Sequence, residues 1–162
     1  MRVFVPATLS RLAELHRSRK LAVDVDIGYA VTPALRESYA EGDAEELEYV
    51  ASSTASRASL TFLGAEPDAP RRRVVVAADV PDADPAAGHG PAGVRLREAI
   101  PLRAVAAIHA DDDDAEPAIA AAVEALDAAT RGDRDAQFLV DETDGVELLW
   151  YATQEIPDLL RG

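Results

Sequence analysis

Cysteine is absent from this sequence of 162 residues. Its absence excludes disulfide bonds, zinc sites built on thiolates and cysteine nucleophiles. No stretch approaches 18 uninterrupted apolar residues, so the sequence predicts no membrane-spanning helix. The opening residues 1–6 lack the long apolar core of a signal peptide. We therefore expect a cytoplasmic protein, in keeping with the missing cysteines.

Aromatic and basic residues are also scarce. Aromatic residues make up 5% of the chain against 48% for all hydrophobic residues, which predicts a core of Ala, Val and Leu. The 16 basic residues are outnumbered by 30 acidic ones, for a formal charge of −14. A nucleic-acid partner is not expected, because such binders neutralise phosphates with Lys and Arg. At this length one domain over residues 1–162 buries roughly 70% of its unfolded surface, without disulfides or metals.

The spacing of apolar residues predicts an α+β domain with a mixed, mainly antiparallel sheet and helices packed on it. The predicted strands cover residues 1–6, 26–31, 73–80, 93–100, 104–110, 137–141 and 146–153. The predicted helices cover residues 8–20, 32–39, 43–63 and 116–130. Thr8, Thr32 and Asp43 are expected to cap the first three helices, and Asp144-Gly145 to join the last two strands in a hairpin. Residues 82–93, rich in Pro, Ala, Gly and Asp, predict a flexible loop.

Two charged runs have a structural and a functional interpretation. The three arginines at 71–73 are expected to solvate the start of an apolar strand, the alternative being an anion or acidic-partner contact. The four aspartates at 111–114 are expected to favour the amino terminus of the next helix, the alternative being a weak magnesium or calcium contact. Because consecutive aspartates point in different directions, we predict no metal site.

Residues 88–93 match the spacing of a dinucleotide-binding fingerprint, with Gly88, Gly90 and Gly93. That fingerprint needs a preceding strand and a helix that begins inside it, so that backbone amides point at the pyrophosphate. Here a proline-rich stretch precedes the glycines, and Pro91 removes an amide. We therefore predict no cofactor. Nucleophile elbows, phosphate loops and paired-histidine motifs are missing as well, so no residue is assigned a catalytic role.

Two stretches combine aromatic and polar residues more densely than packing requires. They supply the candidate binding residues Arg36, Glu37, Tyr39, Glu48, Tyr49, Trp150, Tyr151, Thr153, Gln154 and Glu155. Neighbours on a strand face opposite ways, so the rings of Trp150 and Tyr151 are expected to point apart. One interpretation is packing alone, with Trp150 in the core and Tyr49 between helix and sheet. The other is a polar-aromatic pocket or partner surface that joins both stretches.

The second interpretation leads to a functional prediction. We predict a non-enzymatic binding or protein-interaction module that holds a protein partner or a copy of itself. The alternative is a small-molecule enzyme or sensor. In that case Arg36 would anchor an anionic group, Glu48 or Glu155 would act as acid or base, and Trp150 would form an apolar wall.

Five stretches resemble an uncharacterised family of short actinobacterial proteins, a domain of unknown function. They are residues 2–9, 30–37, 43–49, 72–80 and 149–155. The resemblance spans nearly the whole chain and is loosest at residues 82–93. It implies an actinobacterial cytoplasmic protein and supplies no activity.

Overall fold

The computed structural model of the protein describes residues 1–22, 27–39 and 41–161. The strands are β1 (Arg2–Ala7), β2 (Lys20–Leu21), β3 (Ile27–Ala30), β4 (Val74–Asp79), β5 (Asp84–Pro85), β6 (Gly93–Arg95), β7 (Ile100–Pro101), β8 (Val105–Ala110) and β9 (Leu149–Tyr151). The helices are α1 (Leu9–Ser18), α2 (Pro33–Ser38), α3 (Ala44–Gly64), α4 (Glu116–Thr130), α5 (Arg134–Glu142) and α6 (Ile156–Arg161). Among the described residues, no helix is both long and apolar enough to cross a membrane.

Seven strands form one sheet in the order β5-β6-β3-β1-β4-β8-β9, and β2 pairs with β7 in a small second sheet. Each of the described strand pairings is antiparallel. The predicted class, an α+β domain with a mainly antiparallel sheet and packed helices, is confirmed. The central strands β1 and β4 are buried on both faces, whereas β9 lies at one edge.

Successive side chains of a strand point to opposite faces of the sheet, so neighbouring residues belong to different hydrophobic clusters. One face of β1, with Val3 and Val5, packs against α1 and α6. The other face, with Phe4, packs against the first half of α3. A third cluster joins the end of α3 to α4 and α5, and its members are Leu60, Leu63, Ile119, Ala122, Ala125, Ala136 and Val140.

Three helix starts follow the predicted capping residues. The side chains of Thr8, Thr32 and Asp43 accept hydrogen bonds from backbone amides in the first turns of α1, α2 and α3. Each cap satisfies a donor that the helix itself leaves unpaired. The predicted starts of these helices are confirmed.

The predicted hairpin near the carboxyl end is wrong. Residues 137–141 lie in α5, and Asp144-Gly145 lie in a 3-10 turn that follows it. The helix forms because Asp133 caps it and because Ala136 and Val140, one turn apart, both face the core. Of residues 146–153, only Leu149–Tyr151 form a strand.

Other boundaries also differ from the predictions. Residues 93–100 form β6 and the start of β7 rather than one strand. The stretch 82–93 contains β5 and a 3-10 turn, with Ala83 and Ala86 buried, so it is structured in part; its mobility stays a prediction. The predicted strand 26–31 begins at Asp26, which lies outside the described residues, as does Gly162.

The expectation that the arginines at 71–73 solvate the start of β4 is wrong for Arg72 and Arg73, which are buried. Arg73 is 1% exposed and forms a two-pronged ion pair with Asp111, which is fully buried. Its Nε and Nη2 donate to the two carboxylate oxygens at 2.9 and 2.7 Å. The backbone amide of Arg73 donates to the same carboxylate at 2.7 Å. Asp111 therefore closes an ion pair and does not cap a helix.

The other two arginines bind backbone groups. Arg71 donates to the carbonyls of Leu63 and Glu66, at the carboxyl end of α3. Arg72 donates to the carbonyl of Asp111 at 2.8 Å and is itself buried. Helix carbonyls left unpaired at a carboxyl terminus are natural acceptors for such cations. The whole basic run thus joins β4 to the elements around it.

We predict that Arg73→Met lowers the free energy of unfolding by about 3–5 kcal/mol, because it leaves the Asp111 carboxylate buried without its partner. The control is Arg57→Met, which removes an exposed arginine that pairs with Asp141 and Asp144. It should cost below about 1 kcal/mol, as exposed ion pairs do. Urea unfolding measures both, and similar losses for the two variants would contradict the role assigned to Arg73.

Candidate functional site

The candidate site lies at the β9 edge of the sheet. The side chain of Tyr151 is half-buried and packs against the core that α1 and α6 cover. Trp150, next to it, points to the α3 side of the sheet and is 62% exposed. The expected opposition of the two rings is thus confirmed.

Hydrogen bonds from Arg73 position the segment that leads into β9. Its Nη1 donates to the carbonyl of Thr143 at 3.1 Å, and its Nη2 donates to that of Val146 at 3.0 Å. Strand β9 then pairs with β8, which places Trp150 directly opposite His109. The buried ion pair therefore fixes where the exposed tryptophan stands.

A cleft of about 270 Å³ separates β9 from α3, and we call it the Trp150 cleft. Its lining residues are Tyr49, Ser52, Ser53, Ser56, His109, Asp144, Val146, Glu147, Leu148 and Trp150. The Tyr49 hydroxyl donates to Glu147 across the cleft at 2.6 Å. That bond holds the pKa of Tyr49 above its ordinary value, so the phenol stays a neutral donor.

A second cleft, of about 380 Å³, adjoins the first through Tyr49, and we call it the Tyr39 cleft. It is lined by Tyr39, Gly42, Glu45, Glu46, Leu47, Tyr49 and Val50. Tyr39 is 47% exposed and Tyr49 is 55% exposed. With Trp150, the two clefts present three exposed rings along one side of the protein.

The charge of both clefts has one sign. Their described lining residues include Asp144, Glu147, Glu45 and Glu46, and none of them is Lys or Arg. Asp144 is paired with Arg57, which lies outside the cleft lining. The surface around the exposed rings is therefore acidic and attracts cations.

His109 lines the Trp150 cleft. Burial of the ring lowers its pKa below the ordinary value, and the nearby positive charge of Arg2 lowers it further. The imidazole is thus neutral at pH 7. Within the described part of the chain no side chain hydrogen-bonds to it, and the Ser56 hydroxyl donates to the Ser53 carbonyl instead. This arrangement has no histidine-activated serine.

The structure brings some of the predicted residues together. Tyr49 and Trp150 line the Trp150 cleft, and Tyr39 and Tyr49 line the Tyr39 cleft. The packing interpretation is wrong for Trp150 and Tyr49, because both rings are mostly exposed.

The remaining predicted residues lie elsewhere. Arg36 and Glu37 are exposed on α2 and line neither cleft, while Gln154 is exposed beyond β9. The Thr153 hydroxyl donates to the carbonyl of Val105 at 3.3 Å. These four side chains lie outside both clefts.

The two residues predicted to act as acid or base in the enzyme alternative, Glu48 and Glu155, interact with groups outside both clefts. Glu155 accepts a hydrogen bond from the amide of Ala152 at 2.7 Å, which closes the turn before α6. Glu48 is half-buried on α3. Its charge helps to raise the pKa of Arg2, after the larger effect of the hydrogen bond between Arg2 and Asp79. Neither cleft contains Arg36, Glu48 or Glu155.

Several residues that line the Trp150 cleft are not among the predicted binding residues. Ser52, Ser53 and Ser56 carry a signal, because serine is a weak helix former and three of them stand within the middle of α3. Such a run marks a helix face that is open rather than packed. His109 and Glu147 carry no such signal, since their place depends on the pairing of β8 with β9.

A separate cleft of about 390 Å³ lies between the turn after β4 and residues 96–104. None of the predicted binding residues lines it. Its Arg97 pairs with Asp82 and with Asp84, and its Asp79 pairs with Arg2. These charged groups are therefore engaged in ion pairs with one another. Across the described residues, no group of three or more His, Asp or Glu side chains is placed to hold a metal ion.

We predict that Arg2→Met raises the pKa of His109, because it removes the positive charge that disfavours the imidazolium. The measurement is an NMR titration of the imidazole protons, with Arg161→Met, an exposed arginine on α6, as the control. In the native protein the depressed pKa means that the folded state binds fewer protons than the unfolded state near pH 6. The contribution of His109 to stability is therefore complete above about pH 6.5 and declines as pH falls. An unchanged pKa in Arg2→Met would contradict this account.

Comparison with known proteins identifies the family and no activity. Searches of the curated proteins and of the solved structures gave no significant match. The sequence model of a family of unknown function, DUF6912, matches residues 1–160. Because that match covers nearly the whole sequence, the chain belongs to the DUF6912 family.

Proposed function

We propose that this protein is a non-enzymatic binding module that recognises a protein partner through the Trp150 cleft. The observation that carries the proposal is the position of Trp150, the only tryptophan of the chain, on an edge strand with 62% of its surface exposed. Tryptophan and tyrosine are enriched among the residues that dominate binding energy at protein interfaces. In a chain with so few aromatic residues, we expect a large ring that remains in water to contact a binding partner.

The open edge of the sheet supports the same proposal. Strand β9 pairs with β8 on one side, and within the described residues no strand pairs with its other side. An edge strand offers unpaired backbone groups to an incoming chain. Leu149, 44% exposed, adds apolar surface at this edge. The free backbone edge of β9 and the side chains of Leu149 and Trp150 are thus available to a partner.

The enzyme or sensor alternative has less support. It requires Arg36 to meet Glu48 or Glu155 beside Trp150, yet these charged groups have different neighbours. The neutral His109 has no side-chain partner among the described residues that could orient it as a general base. The geometry of the Trp150 cleft therefore favours binding over catalysis.

We further propose that the protein acts in the cytoplasm of an actinobacterium and does not bind nucleic acid. The absence of cysteine is in keeping with a reducing compartment. The charge of −14 and the acidic clefts repel phosphates. The resemblance of the sequence to a family of short actinobacterial proteins supports the actinobacterial origin.

We predict that Trp150→Ala weakens the binding of the partner by about 30-fold or more, which is the loss of a residue that dominates an interface. It should change stability by about 0.5 kcal/mol or less, because the ring is mostly in water. Phe138→Ala is a matched control, since Phe138 is also 62% exposed but lies on α5 and does not line the cleft.

The measurement has two parts. Affinity capture with wild-type protein and both variants identifies partners that depend on Trp150, and calorimetry then gives their affinities. Sedimentation of the same proteins over a range of concentrations detects self-association. A protein that is strictly monomeric and captures no partner in a Trp150-dependent way would overturn the proposal.

A further inference from the structure

We propose that the partner at the Trp150 cleft is an extended, positively charged segment that adds to the edge of β9 and lays a lysine or arginine side chain over Trp150. This inference rests on the proposed function and specifies the chemistry of the partner.

The rings and carboxylates of the cleft suit a cation. A cation within about 6 Å of a tryptophan face is attracted by the ring, and tryptophan is the strongest of the aromatic residues in this respect. Glu147 lies in the same cleft and is exposed, with one carboxylate oxygen engaged by Tyr49. No lysine or arginine of the described chain lines the cleft, so the protein itself leaves the site for a cation unfilled.

The spacing of strands in a sheet would bring the cation of an added strand next to Trp150. A strand added to β9 would lie about 4.8 Å away, with alternate side chains on the α3 side of the sheet. One of these side chains would stand beside Trp150, as His109 stands beside it on β8. Since β9 has only three residues, the pairing is short and needs such a side-chain contact to hold it.

The charge of the chain argues against a second copy as the occupant. Each copy carries a formal charge of −14. Two copies paired edge to edge about β9 would bring two acidic clefts to one interface, and neither cleft has Lys or Arg among its described lining residues. Like charges at an interface disfavour association. A positively charged segment would instead be attracted by the acidic cleft.

The test uses Trp150 as its own probe, because the intrinsic tryptophan fluorescence of the protein comes from this residue alone. The probe ligand is a ten-residue peptide that alternates threonine and lysine, blocked at both ends. We expect a saturable change in emission that weakens as salt is added. A threonine–glutamate peptide should bind at least about tenfold more weakly. A proline–lysine peptide, with the same charge and no amide to donate from alternate positions, should also bind at least about tenfold more weakly.

Two charge-neutralising variants test the cleft itself. Glu147→Gln keeps an acceptor for Tyr49 but removes the negative charge, and it should weaken the lysine peptide by about two- to fivefold, as loss of an exposed charge contact does. Glu142→Gln makes the same change at an exposed site on α5 and should leave the affinity unchanged. Equal effects of the two variants would show a general charge effect and overturn the assignment to this cleft.

The outcomes separate this inference from the proposed function. If no lysine peptide binds while partner capture still depends on Trp150, the inference is overturned and the proposed function stands. Equal binding of the glutamate peptide overturns the charge preference, and equal binding of the proline peptide overturns pairing with the edge. A dimer in sedimentation that Trp150→Ala abolishes would make a second copy the occupant, against the inference. If partner capture does not depend on Trp150, the proposed function itself fails.

Discussion

A buried ion pair joins the residue before β4 to the residue after β8, and the carboxyl-terminal part of the fold depends on it. Arg73 uses its guanidinium to bind both oxygens of Asp111 and the carbonyls of Thr143 and Val146. Such a pair adds little net stability, since its desolvation offsets its attraction, but removal of one partner is costly. Its effect is to specify geometry, because four acceptors from two segments must converge on one side chain.

This geometry determines what the surface presents. The chain enters β9 from Val146 and pairs with β8 over three residues, so Tyr151 joins the core and Trp150 remains in water. The first half of α3 stands beside it with Tyr49 and a run of serines too short to fill the space. A cleft with exposed rings and acidic side chains is the consequence. The binding surface that we propose therefore depends on the buried ion pair between Arg73 and Asp111.

Much of the fold could be predicted from local signals, whereas the site could not. Thr8, Thr32 and Asp43 mark helix starts because their effect lies within a few residues. Arg73 and Asp111 are 38 residues apart, and nothing local distinguishes a buried pair from two solvated charges. The sequence of α5 predicts a strand because its apolar residues form a short run whose period is ambiguous. Tyr49 and Trp150 were recognisable by type, but His109 and Glu147 join them only through tertiary structure.

Hydrogen exchange of the intact protein, with and without the partner captured by Trp150, tests most directly where binding occurs. The account predicts that the partner slows exchange of the amides in β9 and in residues 45–53 of α3. It also predicts unchanged exchange at the cleft formed by residues 96–104. The account would be contradicted if protection were confined to residues 96–104 and the amides of β9 exchanged as fast as in the free protein.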